Sequence, residues 1–253
     1  MNTLTLEKHC WAEIDLTALR ENYEYIRRTV GGPVCAVVKA DAYGHGDNVI
    51  ARVLQEAGAA GFAVSSLGEG RHLRRGGITT PILILGYADP TYAAVLAAND
   101  LITTCYSTEY AQALSAAAVK AGVKVKVHLK IDTGMGRYGF LPDELDQLLP
   151  IFRYMPGLHV TGIYTHLHSA FCSQKATIAQ AEAFQGVLDQ LHASGCETGM
   201  AHMLNSAGLL KYPQYAMDGV RVGSAILGRV SVHGNFGLTR IGECQATVEE
   251  LRW

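Results

Sequence analysis

The sequence predicts a parallel α/β protein closed as a (β/α)8 barrel, on three observations. Short apolar, β-branched runs alternate with longer stretches of helical period from residue 16 onward. The runs number eight, which favours a closed barrel over an open doubly wound sheet, and they span about 220 residues, close to the ~250 usual for that fold. The 253 residues are 49% hydrophobic and 17% charged, enough apolar content for a sizeable core.

Residues 1–15 are expected to form an N-terminal strand segment. Leu16, Leu19, Tyr23 and Ile26 then fall at helical spacing, and VCAVVK at 34–39 follows as the first barrel strand. Further strands are expected near 61–65, 81–85, 101–105, 124–131, 158–165, 199–204 and 218–222. Helices are expected near 47–58, 68–76, 91–98, 107–121, 143–152 and 174–194. Gly31-Gly32-Pro33, Gly76-Gly77, Asp89-Pro90 and Gly122 punctuate the joints as turn or cap signals. After Gly228 the helical period fades, and 243–251 alternates like a strand of another element. The expected division is a strand segment at 1–15, a barrel at 16–240, and at 241–253 the first strand of a C-terminal β-domain that this chain only begins.

Composition narrows the function. With 21 basic and 23 acidic side chains, a formal charge of −2 and no Lys/Arg cluster, neither nucleic acid nor an anionic membrane is an expected partner. No apolar run reaches about 18 residues and no leader pattern opens the chain, so a cytoplasmic protein is expected. Six cysteines without a C-x-x-C pair fit a reducing compartment. A small-molecule enzyme is the reading these leave.

In a parallel barrel, chemistry collects where strands end. Lys39 closes the first run and precedes Ala40-Asp41-Ala42-Tyr43-Gly44-His45-Gly46. A lysine there is commonly a snorkelling surface residue, whereas a desolvated one forms Schiff bases with carbonyls such as that of pyridoxal phosphate. Phosphate-binding parts stand where a barrel places them, after its seventh and eighth strands. Asn205-Ser206-Ala207-Gly208 starts a short helix that Ser206 is expected to cap, and Arg221-Val222-Gly223-Ser224 brings a glycine that admits an anion to the backbone. At the fifth strand's end, Lys130-Ile131-Asp132-Thr133-Gly134-Met135-Gly136-Arg137 offers Arg137 for a carboxylate, or as a solvated loop arginine. His166 and His168 share a face, but no third ligand is spaced with them; no metal is expected, and His166 is read as a hydrogen-bonding residue.

These stretches, in this order, resemble the barrel domain of the pyridoxal-phosphate-dependent alanine racemases of fold type III. The resemblance is carried by Val37-Val38-Lys39-Ala40-Asp41-Ala42-Tyr43-Gly44-His45-Gly46, by Lys130 to Arg137, and by Thr165-His166, Asn205-Ser206-Ala207 and Arg221-Val222-Gly223. It implies a cytoplasmic, homodimeric isomerase that interconverts L- and D-alanine by two-base proton transfer at Cα and supplies D-alanine for peptidoglycan precursors. Pyridoxal 5'-phosphate would be held covalently on Lys39, which is also one base. Tyr43, Ser206 and the Gly223-Ser224 backbone would hold its phosphate, with Asn205 and His166 also at the cofactor. Arg221 would face the pyridine nitrogen, hydrogen-bonded to His166. Arg137 would receive the substrate carboxylate beside Lys130, which is carbamylated in many relatives and then orients it as an anion.

The second base of the family is a tyrosine on a C-terminal β-domain, presented across a head-to-tail dimer. Its Gly-Tyr-Gly motif is expected shortly after 246–253, and none of the 12 tyrosines here stands in that context. The alternatives are a serine racemase of the same family and a non-racemising, single-barrel pyridoxal-phosphate homeostasis protein. Chain length favours the latter; the Lys39 motif and the Gly134 to Arg137 loop resemble the racemases.

Overall fold

The computed structural model describes residues 10–247. Its first elements are strand β1 (Cys10–Ile14) and helix α1 (Leu16–Val30). The Asp15 carboxylate starts α1 by accepting the N–H groups of Thr17 and Ala18 at 2.8 and 2.9 Å, and Gly31 at φ 66° ends it. Leu19, Tyr23 and Ile26 are fully buried against the barrel, each contributing roughly 1.5–3 kcal/mol of apolar burial. Leu16, on the same expected stripe, is instead 37% exposed at the helix start.

Eight parallel strands follow: β2 (Val34–Val37), β3 (Gly61–Val64), β4 (Ile82–Ile84), β5 (Leu101–Cys105), β6 (Val125–Lys130), β7 (Leu158–Tyr164), β8 (Met200–His202) and β9 (Val220–Val222). From β2 to β8 each strand pairs with the next in sequence, and β9 pairs with β2, as barrel closure requires. The remaining seam, β8 to β9, is held by a bridge between His202 and Gly219 and by the Arg221 N–H donating to the Leu204 carbonyl at 2.9 Å. All eight strands fall within the expected windows.

The helices are α2 (Lys39–Gly44), α3 (Asp47–Glu56), α4 (Leu67–Arg75), α5 (Ala93–Ala98), α6 (Thr108–Lys120), α7 (Leu145–Tyr154), α8 (Gln174–Ala193) and α9 (Ser206–Lys211). Serine caps recur: the hydroxyls of Ser66, Ser107 and Ser173 accept the N–H of Glu69, Tyr110 and Ala176. The segment expected as one helix near 91–98 opens with a 3-10 turn at Pro90–Tyr92, because the Asp89 carboxylate takes the Thr91 N–H.

The main apolar core lies between barrel and helices. Inside the barrel, Ala63, Leu83 and Ile102 pack with Cys35, Val37 and Leu85. β6, β8, β9 and the end of β5 carry the buried polar side chains His128, Lys130, His202, Arg221 and Thr104. This split gives the barrel one greasy side and one hydrogen-bonding side.

β10 (Gly242–Ala246) pairs antiparallel with β1, the Asp15 N–H extends the ladder by donating to the Ile241 carbonyl at 2.7 Å, and the Ile241 N–H joins the ribbon to the segment after β9 by donating to the Leu227 carbonyl at 3.4 Å. The alternation expected over 243–251 is thus a strand as far as the described residues reach. Its remainder, like residues 1–9 of the expected N-terminal strand segment, lies outside them.

Candidate active site

The mouth at the strands' C-terminal ends holds a cavity of about 410 Å³. Lys39, Tyr43, Lys130, Arg137, His166, Asn205, Ser206, Arg221, Gly223 and Ser224 all line it. Every site residue expected from the sequence therefore converges on one space, from five strand ends.

Four cations, Lys39, Lys130, Arg137 and Arg221, line this cavity, and no carboxylate does among the described residues. Burial first, then the charges of Arg221, Arg137, Lys130 and Lys39, push the His166 imidazole down to about 3, so it is neutral. Such a space is built for an anion.

Lys39 is placed by an unusual device. Ala40, Asp41, Ala42 and Tyr43 all have φ between 50° and 57°, forming one left-handed helical turn without a glycine among them. That costs about 1–2 kcal/mol per residue, so the surroundings must hold it. They do. The Glu69 carboxylate accepts from the N–H groups of Ala40 (3.0 Å) and Ser65 (2.6 Å), pinning the turn to the end of β3. The Asp41 carboxylate accepts the Asp47 N–H at 2.8 Å, and the Asp41 carbonyl accepts those of His45 and Gly46. The turn sets the Tyr43 ring against Gly223 at the cavity wall.

The Ser206 hydroxyl accepts the N–H groups of Gly223 and Ala225, each at 3.2 Å, and so ties the β8 loop to the β9 loop. The expected cap of α9 needs correction: Asn205 fills that position, its side-chain oxygen taking the Gly208 N–H at 2.9 Å, which frees the Ser206 hydroxyl for the cavity.

Arg221 is buried, and one of its terminal nitrogens donates to the Thr165 carbonyl at 2.7 Å. The other donates to the ring Nδ1 of His202 and, at 3.0 Å, to the His202 carbonyl. This corrects the expected partner: His202 holds Arg221, while His166 Nε2 faces the Asn205 amide at 3.5 Å. The reason is position, since His202 lies on the strand beside β9 and points inward, whereas His166 sits beyond the end of β7. The Arg221 guanidinium also lies over the Tyr164 ring, 4.7 Å from its centre.

Asp132 organises the loop that follows β6. Its carboxylate accepts from the N–H groups of Gly134, Met135, Gly136 and Arg137 at 2.7 to 3.1 Å, with Gly134 and Gly136 at φ 132° and 70°. Burial pushes its pKa up, but these bonds and Lys130 outweigh that and hold it down. The loop delivers Arg137 to the rim. Below it, Lys130 donates to the Ile131 carbonyl at 2.8 Å, and burial, with Arg221 and Arg137 adding, pushes its amine down to about 8 against the pull of Asp132.

Comparison with known families now decides the kinship: residues 14–231 match the model of the alanine racemase N-terminal domain. The chain belongs to that family.

Among relatives of this alanine racemase N-terminal domain is the alanine racemase of Desulfovibrio desulfuricans, 39% identical over 228 residues, covering 89% of this chain and 62% of the relative. That of Clostridium perfringens strain SM101 is 42% identical over 217 residues, or 84% of this chain and 56% of the relative. The chain thus spans less than two thirds of the length of these relatives. Among solved structures, alanine racemase of Clostridium difficile 630 superposes with a TM-score of 0.92 at 31% identity, covering 98% of this chain and 71% of that one. A histidine racemase from Leuconostoc mesenteroides superposes at 0.87 with 26% identity, covering 98% and 68%.

Several residues that shape the site carry no signal in the sequence motifs. Tyr138 and Tyr164 line the cavity, Tyr164 bonded to the Thr104 hydroxyl at 2.9 Å and Tyr138 to the Leu85 carbonyl. His128, His202 and Glu69 act through long-range contacts that no local motif announces. The inward alternation of HLK at the end of β6 was the one available signal for His128.

Proposed function

We propose that this chain is the cofactor-bearing barrel of an alanine racemase and takes pyridoxal 5'-phosphate on Lys39. The observation that carries this reading is the cavity, free of carboxylates among the described residues, in which Lys39, Arg221, Arg137 and the Ser206–Gly223 cradle meet. Those groups fit a phosphorylated aldehyde: an amine for the carbonyl, donors for the phosphate, and an arginine where a ring nitrogen would lie. When bound, the cofactor supplies a conjugated ring that delocalises the electron pair left at Cα as its proton departs.

The residues divide the remaining work. Tyr43, Ser206 and the Gly223-Ser224 backbone hold the phosphate; Asn205 and His166 border the ring. Arg221 keeps its own proton and would give none to a ring nitrogen facing it, which would leave more of the burden to the positioned bases. Lys39 removes or returns the Cα proton on one face. Arg137 binds the substrate carboxylate, and Lys130, once carbamylated, orients Arg137 as an anion.

Racemisation needs a base on each face. For the second we propose a tyrosine on a C-terminal β-domain reached across a head-to-tail homodimer, with 16–240 as the barrel and 241–253 as the start of that domain. Alanine is the proposed substrate, in the cytoplasm, yielding D-alanine for peptidoglycan precursors; serine is the alternative.

A chiral product assay of alanine and serine tests this, run on the chain with and without the C-terminal β-domain added in trans. Weak D-alanine formation that rises when the domain is supplied supports the reading. Full turnover by the 253 residues alone overturns the account of the second base. A borohydride-reducible adduct that survives in Lys39→Ala overturns the assignment of Lys39.

A further inference from the structure

A second cavity, of about 270 Å³, opens at the other end of the barrel, among residues at or just before the strand starts, such as Pro33, Gly61, Pro81, Met200 and Val220. Barrel interiors of this type are ordinarily filled by layers of side chains. Here the layer is thin, because Cys35 and Gly61 present little volume beside Leu83 and Ile102. Dry apolar cavities of about 150 Å³ already hold benzene, so this one admits a two-ring molecule.

Its polar equipment is fixed from the far side of the barrel. Arg221 can only donate, so the His202 Nδ1 that it contacts is an acceptor. A neutral imidazole carries one N–H, which places the His202 proton on Nε2, and this donates to His128 Nδ1 at 2.9 Å. His128 is left with its proton on Nε2. That atom has no partner within the protein among the described residues, and His128 lines the cavity. Asn48 Oδ1 is the one enclosed side-chain polar atom without a partner among those residues, so Nε2 is not sealed in; it lies over Gly162, 2.6 Å from where a Cβ would stand, and the open space its ring borders is this cavity.

Both imidazoles are neutral: burial, then Arg221, pushes His128 down to about 3, and His202 goes the same way, with His128 adding to the effect of Arg221. At the rim, Lys126 and Asp100 pair at 2.6 Å and cancel each other. An apolar chamber with one outward-facing N–H and no net charge remains.

We infer that this N-terminal cavity is a small-molecule site, separate from the Lys39 mouth, for a neutral planar two-ring aromatic that carries one hydrogen-bond acceptor, taken by His128 Nε2–H. The inference stands on the His128–His202–Arg221 chain and does not rest on the racemase reading. An occupant accepting from His128 would extend the donor chain that begins at Arg221, so the two ends of the barrel would share one line of hydrogen bonds.

The test uses the full chain, with and without pyridoxal phosphate, and two probes of similar shape. Isoquinoline has an acceptor nitrogen, whereas indole offers a donor instead. Titration calorimetry should show isoquinoline binding about three- to tenfold tighter, the worth of one hydrogen bond. Long-range ¹H–¹⁵N spectra should show the His128 Nε2 signal moving with isoquinoline. Ala60 is exposed at the rim, and Ala60→Trp should weaken binding at least about tenfold by plugging the entrance without disturbing the core. Equal affinity for the two probes, an unmoved His128 signal, binding unchanged in Ala60→Trp, or no binding at millimolar probe would each overturn the inference.

Discussion

The Tyr43 ring occupies the space a side chain on Gly223 would need: two of its carbons stand 3.0 Å from where a Cβ would be. Tyr43 cannot retreat freely, because it ends a left-handed turn that is anchored on Glu69 and Asp41. Gly223→Ala is therefore expected to displace the Tyr43 hydroxyl and lower pyridoxal phosphate affinity at least about tenfold. Equilibrium dialysis measures this, with circular dichroism to confirm the fold. Unchanged affinity would remove Tyr43 and Gly223 from the phosphate site.

The Asp132 carboxylate replaces water for four backbone N–H groups at once. Asp132→Ala leaves these donors without a partner in a partly buried loop and is expected to destabilise the chain by about 1–3 kcal/mol in urea denaturation. If Arg137 receives the substrate carboxylate, the same variant raises KM for alanine in the domain-supplemented enzyme more than it lowers kcat, since the loop positions a binding group. Asp132→Asn, which keeps one oxygen acceptor, should recover part of both losses.

Strand placement was legible because each barrel strand is a short β-branched run bounded by glycine or a turn, as 81–85 and 101–105 show. The site residues were legible for the same reason, since a parallel barrel gathers strand ends at one mouth. What stayed hidden is instructive. The left-handed turn at Ala40 to Tyr43 contains no glycine to announce φ above 0°, and it exists because Glu69, 29 residues later, pays for it. The His128–His202 bond spans 74 residues, and only strand register brings the two rings together.

Three histidines set the acid limit of the fold. His128 and His166 are pushed down to about 3, and His202 well below the ordinary 6.5. In the unfolded chain each takes up a proton near pH 6.5, while the native state resists until far lower pH. The unfolded state then binds more protons, so stability falls as pH drops from about 6.5 toward 3, by up to about 1.4 kcal/mol per pH unit for each histidine. Urea midpoints measured across that range should show a steep decline. His128→Phe should flatten it by one histidine's share, and an equal slope would mean that His128 is protonated in the native protein.

Lys130 is the residue whose chemistry the cavity most directly prepares. Burial pushes its amine down to about 8, so near neutral pH an appreciable fraction is the free base that can attack CO2. One proton leaves the ammonium to free the amine, a second leaves to solvent as the nitrogen bonds to the CO2 carbon, and a cation thus becomes an anion beside Arg137 and Arg221. The product keeps an N–H, so the existing bond to the Ile131 carbonyl, at 2.8 Å, survives the change. It also lowers the mutual repulsion of the four cations lining the mouth. With ¹³C-labelled bicarbonate the protein is expected to show one carbamate resonance that is absent from Lys130→Met. Arg137→Met, which removes a stabilising cation, should reduce its intensity. Labelled protein without that resonance near pH 8 would leave Lys130 as an amine in the working site, and Arg137 would then be oriented by the Asp132 loop alone.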